Sequence, residues 1–290
     1  MAGSLRLSAD GATPRASSGE QPDGSGDLVN RDIILSVIKV SLAFGGNRVL
    51  TDVSLDVDRG QLFAIIGPNG AGKTSFFNVL TRLYDANSGE AVLDNANLCD
   101  LSATALAHAG VMRTFQNILV LKELSVLDNV LLGLHTTYRT SLFTTAFGSI
   151  SYRREERRRR ELALEALKVV GLEQVAHLAA GSLPFGYLRL LELARCIASS
   201  PKLILLDEPS AGMTSQEIER LTCTIGLIRR TLNPTILLIA HTMKLVMQVS
   251  DRILVLDHGA PIAEGTPAEI ASNQVVIDAY LGGASNHADA

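Results

Sequence analysis

The chain has 290 residues, of which 26 are Lys or Arg and 30 are Asp or Glu, so its formal net charge is −4. With 47% hydrophobic residues it can bury a substantial core, which excludes intrinsic disorder of the whole chain. The mildly acidic balance argues against nucleic acid as a partner. No apolar run approaches the roughly 18–20 residues of a membrane-spanning helix, so we expect no integral membrane segment.

The two ends of the chain differ in composition from the rest. Residues 1–30 are rich in Gly, Ser, Ala and Asp and lack the continuous apolar stretch of a secretory signal. This composition cannot build a core, so we predict a disordered N-terminal tail over residues 1–30. Residues 286–290 are predicted to be a short C-terminal tail.

Strand and helix patterns alternate from residue 32 onward. Ile34–Phe44 and Val53–Val57 mix apolar and polar residues as half-buried strands do, and Gly45–Asn47 between them predicts a turn. Leu62–Ile66 predicts a buried strand, and Lys73–Tyr84 an amphipathic helix. Further buried strands are predicted at Leu203–Leu206, Thr235–Ala240 and Arg252–Leu256. Such alternation is typical of a parallel sheet in an α/β core.

The middle of the chain has a different pattern. Leu124–Leu134 and Arg153–Val170 predict helices, with little strand character around them. We therefore predict a helical insertion, residues 117–199, that interrupts the α/β core.

A glycine-rich turn follows the predicted strand Leu62–Ile66. Residues 67–74 match the pattern G-x-x-x-x-G-K-[ST], whose backbone N–H groups form a nest for phosphate at the start of a helix. Lys73 would reach the β- and γ-phosphates, and the Thr74 hydroxyl can ligate Mg²⁺. The predicted phosphate-binding residues are Gly67, Pro68, Asn69, Gly70, Ala71, Gly72, Lys73, Thr74 and Ser75.

Polar residues follow two of the other predicted strands. Asp207 lies at the carboxyl end of its strand, where α/β sheets bind ligands, and it can hold Mg²⁺ through water. Glu208 is then positioned to take a proton from an attacking water. His241 follows the strand Thr235–Ala240 and can donate a hydrogen bond to a γ-phosphate. Considered alone, a single histidine such as His241 is more often structural than functional. In the same way, Gln116 alone is typical of a polar residue at a domain edge.

Taken in order, these motifs resemble the ATP-binding subunit of ABC transporters, and the resemblance extends from Ile34 to about Gly283. Leu183–Tyr187 occupies the position of the family's signature segment. The resemblance implies a P-loop NTPase (RecA-like) α/β core with an antiparallel β-subdomain and a helical subdomain insertion. It also implies that residues 31–285 form one ATP-binding domain.

The resemblance further implies ATP and Mg²⁺ as cofactors. Phe44 matches the aromatic residue that stacks on adenine, and Thr74, Gln116 and Asp207 match the residues around the metal. Glu208, Lys73 and His241 would be catalytic. Gly186 of the signature would contact ATP bound to a second ATP-binding subunit, which is either another copy or a related chain.

Other partners implied are transmembrane permease subunits and, indirectly, a solute-binding protein, which places the chain at the cytoplasmic face of the cell membrane. Within the family, the stretches Arg113–Asn117 and Asp278–Gly282 resemble importers of branched-chain amino acids. Two alternatives stay open. One is the same role in a urea- or amide-type or other solute transporter. The other is a low-turnover, non-transport ABC-type ATPase, suggested by Pro184, Tyr187 and Thr214, which depart from the family pattern.

Overall fold

The computed structural model describes residues 31–134 and 150–285, and the predicted tails lie outside these ranges. In chain order the strands are β1 (Ile33–Phe44), β2 (Asn47–Asp58), β3 (Leu62–Ile66), β4 (Ser88–Leu93), β5 (Ala96–Asn97), β6 (Val111–Arg113), β7 (Leu203–Asp207), β8 (Thr235–Ile239), β9 (Arg252–Asp257) and β10 (Ala260–Gly265). The helices are α1 (Lys73–Leu80), α2 (Ala103–Ala109), α3 (Val126–Gly133), α4 (Ile150–Val169), α5 (Phe185–Ile197), α6 (Ser215–Leu232), α7 (Met243–Val249), α8 (Pro267–Ala271) and α9 (Gln274–Ser285).

The strands form two sheets. The smaller sheet is antiparallel, with the order β2-β1-β4-β5. The larger sheet has the order β10-β9-β3-β8-β7-β6, in which β10 is antiparallel to β9 and the other neighbours are parallel. The phosphate loop, Asp207 and His241 all follow strands of this larger sheet. Parallel strands end at the same edge, so these groups meet there.

The central strands of the larger sheet are buried on both faces. Every residue of β3, β7 and β8 is buried, which agrees with their continuous apolar sequences. Successive residues contribute to opposite core clusters: Leu62, Ala64 and Ile66 pack in one, and Phe63 and Ile65 in the other. This alternation follows from the two-residue period of a strand. The sheet is thereby held between two apolar layers.

Helices and short turns make up the described part of the region predicted as a helical insertion. Helices α3, α4 and α5 pack on one another there. The fully buried Asn129 of α3 accepts a hydrogen bond from the backbone N–H of Leu121 and donates to the carbonyls of Leu121 and Ser125. These bonds satisfy backbone polar groups in the segment that precedes α3, which would be costly to bury without partners. The boundaries of the insertion stay a prediction.

The helix after the phosphate loop is shorter than we predicted. It ends at Leu80 rather than Tyr84, since Thr81 is the C-cap and Arg82 has a left-handed backbone with φ 60°. The backbone N–H groups of Leu83 and Tyr84 both donate to the carbonyl of Asn78. Tyr84 therefore leaves the helix and reaches Phe44, and the apolar spacing alone did not indicate this ending.

Across residues 31–134 and 150–285, no helix combines the length and the apolar character that crossing a bilayer would need.

Candidate ATP-binding and hydrolysis site

The phosphate loop connects the buried strand β3 to α1. The Lys73 side chain points back along the loop, and its Nζ donates to the carbonyls of Gly67 and Pro68 at 2.8 and 2.7 Å. Lys73 is buried, and this burial lowers its pKa, while the nearby charge of Glu208 raises it. The loop thus holds one positive charge among backbone groups, which is the arrangement that binds phosphate.

Gly67 begins the loop at a position that excludes a side chain. Its φ is 152°, and an added Cβ would lie 2.0 Å from the carbonyl oxygen of Leu256 on β9. The backbone therefore approaches the neighbouring strand too closely for any other residue.

Two of the predicted site residues, His241 and Gln116, contact a third, Glu208. His241 Nε2 lies 2.7 Å from Glu208 Oε1, and Gln116 Nε2 lies 3.3 Å from Glu208 Oε2. Glu208 itself has a left-handed backbone with φ 47°, and its N–H donates to the carbonyl of Ile239 at 2.8 Å. This turn directs the carboxylate away from the strand direction of β7 and toward its two partners.

The residues predicted to hold Mg²⁺ have suitable chemistry. Asp207 is the last residue of the buried strand β7, and Thr74 is an exposed residue in the first turn of α1. Carboxylate and hydroxyl oxygens suit this ion, which usually takes one or two protein ligands beside phosphate oxygens and water. The described residues contain no cluster of three or more His, Cys, Asp or Glu, so they do not form an all-protein metal cage.

Phe44 lies at the end of β1 and is 48% exposed. Its ring centroid is 5.1 Å from that of Tyr84, with an interplanar angle of 78°. This edge-to-face contact supports the Phe44 ring while leaving much of its surface accessible to a planar ligand.

The signature segment lies at the start of α5. The helix begins at Phe185, and Pro184 takes the N-cap position. Pro184 provides no side-chain cap. The N–H of Gly186 instead donates to Glu217 Oε1 of α6 at 3.1 Å, and Glu217 also caps α6 through Thr214. The partner of Gly186 within the chain is thus a carboxylate of α6.

Gly186→Asp is expected to lower ATP turnover by about 10²-fold, with ATP affinity at low protein concentration nearly unchanged. A Cβ at this position would lie 2.5 Å from Glu217 Oε1, and the added carboxylate would repel both Glu217 and an incoming phosphate. Fluorescence titration with ATP and a phosphate-release assay measure the two quantities.

Gly226→Asp is the matched control, because a Cβ at Gly226 meets only Arg230 Nη1, at 3.5 Å. If Gly186→Asp lost neither affinity nor turnover, Gly186 would not belong to the site. Loss of both would indicate that the variant unfolds the surrounding helices.

Two buried residues that our sequence interpretation did not assign to the site hold the segment that carries Gln116. Arg189 of α5 donates to the carbonyls of Phe115 and Gln116 at 3.0 and 2.5 Å, and it pairs with Glu192 at 3.0 Å. Glu192 also accepts from the N–H of Leu119. Burial raises the pKa of Glu192, and the bond from Leu119 and the charge of Arg189 oppose this shift. One helical turn of α5 therefore fixes the backbone on both sides of Gln116.

Tyr280 of α9 is a further residue near the phosphate loop. Burial raises the pKa of its hydroxyl, and the backbone N–H of Gly67 acts in the opposite direction. The sequence offered one signal for this placement, the segment Asp278–Gly282, but only as a family resemblance.

Comparison with known proteins identifies the family of this chain. The family model described as ABC transporter matches residues 50–211, and the model for branched-chain amino acid ATP-binding cassette transporters matches residues 260–285. The high-affinity branched-chain amino acid transport ATP-binding protein BraF of Pseudomonas aeruginosa is 42% identical over 249 residues, covering 86% of this chain and 98% of the relative.

Solved structures give the same result. A crystal structure of the ADP conformation of an ATP-binding cassette of an ABC transporter has a TM-score of 0.74 at 30% identity, covering 86% of this chain and 99% of that one. A dimeric cassette in a post-hydrolysis state, bound to ADP and Pi, has a TM-score of 0.66 at 25% identity, covering 80% and 98%. These similarities confirm the predicted fold class, and the chain belongs to the ABC transporter family of ATP-binding cassettes.

Proposed function

We propose that this chain binds and hydrolyses ATP and thereby powers an importer for branched-chain amino acids. The observation that carries the proposal is the position of Glu208 between Gln116 and His241, at the sheet edge that also bears the phosphate loop. A carboxylate held by two polar side chains beside a phosphate-binding loop is suited to general-base catalysis on a nucleotide.

Each residue has one role in this reaction. The Phe44 ring stacks on the adenine, and the loop amides with Lys73 hold the β- and γ-phosphates. Glu208 accepts the proton of the attacking water. His241 donates a hydrogen bond to the γ-phosphate, whose negative charge increases in the transition state. Thr74, Asp207 and Gln116 would hold Mg²⁺, which would supply positive charge for the phosphates when bound.

The working unit we propose is a pair of ATP-binding subunits. The chain has one phosphate loop and one signature segment, so Gly186 of one subunit completes the ATP site of the other. The similarity to a dimeric cassette supports this arrangement. We further propose that the pair binds transmembrane permease subunits at the cytoplasmic face of the membrane, and that a solute-binding protein delivers the solute.

The substrate class rests on the relatives. BraF is named as a branched-chain amino acid transport protein, and residues 260–285 match the C-terminal model of that group. A urea- or amide-type substrate remains the second candidate, based on the weak resemblance at Gly212–Thr214.

Reconstituted transport tests the proposal. The chain is assembled with its permease subunits and binding protein in liposomes that contain ATP and Mg²⁺, and uptake of radiolabelled leucine and of urea is compared. We expect ATP-dependent uptake of leucine that is lost in the presence of EDTA. Uptake of urea alone would replace the substrate assignment, and ATP turnover without uptake of any solute would favour a non-transport ATPase.

A further inference from the structure

We propose that Arg113 is a positioning residue that orients the Asp207 carboxylate for Mg²⁺ and joins it to the helix that carries Lys73 and Thr74. This inference rests on the proposed function, because it gives Asp207 its role at the metal. Arg113 is the last residue of β6, and our sequence interpretation used it only as part of the stretch Arg113–Asn117.

The pair formed by Arg113 and Asp207 is buried. Arg113 Nη2 lies 2.7 Å from Asp207 Oδ2, and the two side chains are 6% and 3% exposed. Among the residues that the structure describes, none donates a hydrogen bond to the second oxygen, Oδ1. One carboxylate oxygen is therefore held in place, and the other is left for the metal or its water shell.

The other nitrogen of the same guanidinium bonds to α1. Arg113 Nη1 donates to Asn78 Oδ1 at 2.9 Å and to Thr81 Oγ1 at 2.8 Å. Lys73 and Thr74 lie in the first turn of this helix. The guanidinium thus sets the distance between the helix that binds phosphate and the strand that ends in Asp207.

Two aromatic rings contact the guanidinium. Its central carbon lies 5.6 Å from the ring centroid of Phe77 and 5.3 Å from that of Phe115. Cation–π contacts at these distances are attractive. Phe115 directly precedes Gln116, so Arg113 touches elements on three sides of the site.

Stability alone does not account for a charged pair at this position. Burying two charges costs several kcal/mol that their attraction only partly offsets, so well-packed apolar residues often serve equally well. In addition, Arg113 Nε is buried without a hydrogen-bond partner among the residues that the structure describes. Arginine differs from other residues in its planar guanidinium, which presents several donors in a fixed arrangement. Such a group can fix the orientation of an acceptor such as the Asp207 carboxylate.

Arg113→Lys is the test, because it keeps the charge but cannot span Asp207 and both acceptors on α1. The affinity for a fluorescent ATP analogue is measured first in EDTA and then across a Mg²⁺ titration. We expect affinity in EDTA within about twofold of wild type, since Lys73 and the loop are intact. The Mg²⁺ concentration at the midpoint should rise by about 10-fold or more, the scale found when a partner that orients a metal ligand is lost.

Two further variants complete the design. Arg229→Lys alters another ion pair, with Asp251 at 2.5 Å and outside the site, and should leave the Mg²⁺ midpoint unchanged. Asn78→Ala removes one acceptor of Arg113 without touching Asp207 and should shift the midpoint in the same direction by a smaller factor. If Arg113→Lys does not fold, Asn78→Ala decides the question.

The outcomes separate this inference from the proposed function. An unchanged Mg²⁺ midpoint in a folded Arg113→Lys variant overturns the positioning role, even if its melting temperature falls. For Asn78→Ala, an unchanged midpoint has the same meaning. If wild-type protein bound the analogue without any dependence on Mg²⁺, the proposed function would fail first, and with it the role given to Asp207.

Discussion

Glu208→Gln is expected to lower ATP hydrolysis by about 10²–10⁴-fold while ATP still binds, because that is the usual contribution of a general base. Glutamine has nearly the same shape as glutamate. Its oxygen can accept the bond from Gln116, and its NH₂ group can donate to Nε2 of a neutral His241, in place of the contacts at 3.3 and 2.7 Å. An amide cannot accept the proton of the attacking water. Turnover is measured by phosphate release, and binding by titration with a fluorescent ATP analogue.

The same variant should accumulate as an ATP-bound dimer, visible by size-exclusion chromatography. Glu219→Gln is the matched control, because Glu219 is an exposed residue of α6 that pairs with Lys244, and it should keep wild-type turnover. Wild-type turnover in Glu208→Gln would show that another group accepts the proton.

Lys73→Ala is expected to weaken ATP binding by about 10–10⁴-fold, since one or two hydrogen bonds from a charged donor to the phosphates are lost. Each such bond contributes about 1.5–3 kcal/mol. Lys73 is buried and bonded to the carbonyls of Gly67 and Pro68. We therefore expect that an exposed cation nearby cannot take over its contact with the phosphates. Isothermal titration calorimetry with ATP measures the effect.

Lys168→Ala serves as the control for loss of a lysine, because Lys168 is exposed near the end of α4. The melting temperature of Lys73→Ala should be recorded as well, since the loop loses two internal hydrogen bonds. Equal ATP affinity in Lys73→Ala and wild type would contradict the assignment of residues 67–74 to phosphate binding.

Patterns that are local in the sequence predicted the elements of the core well. Leu62–Ile66 has the same bounds in the prediction and in the structure, and the strands predicted at Leu203–Leu206 and Thr235–Ala240 each differ by one residue at one end. These strands are buried on both faces, so their apolar runs are unbroken and end sharply at polar residues. The positions of Glu208 and His241 follow directly from those ends.

Contacts between distant parts of the chain could not be predicted in this way. Arg113 and Asp207 are 94 residues apart in sequence, and Gly186 and Glu217 are 31 apart. Nothing in the spacing of either pair indicates proximity. The pairing of β6 with β7 brings Arg113 to Asp207, and a local contact between the starts of α5 and α6 brings Gly186 to Glu217. The end of α1 was missed for a different reason, since the left-handed backbone of Arg82 ends the helix while the apolar periodicity continues to Tyr84.

The contact of Arg189 with the carbonyls of Phe115 and Gln116 connects helix α5 to the segment beside Glu208. Arg189 is part of α5, so we expect that a rotation of this helix would displace the backbone of Gln116 and change the distance of its side chain to Glu208. The orientation of α5 and the arrangement of side chains around the Glu208 carboxylate would then change together, in a single conformational equilibrium. A protein that binds the helical region and favours one orientation of α5 would then change the affinity of this chain for nucleotide. Because such coupling is reciprocal, nucleotide would change the affinity of this chain for that protein by the same factor.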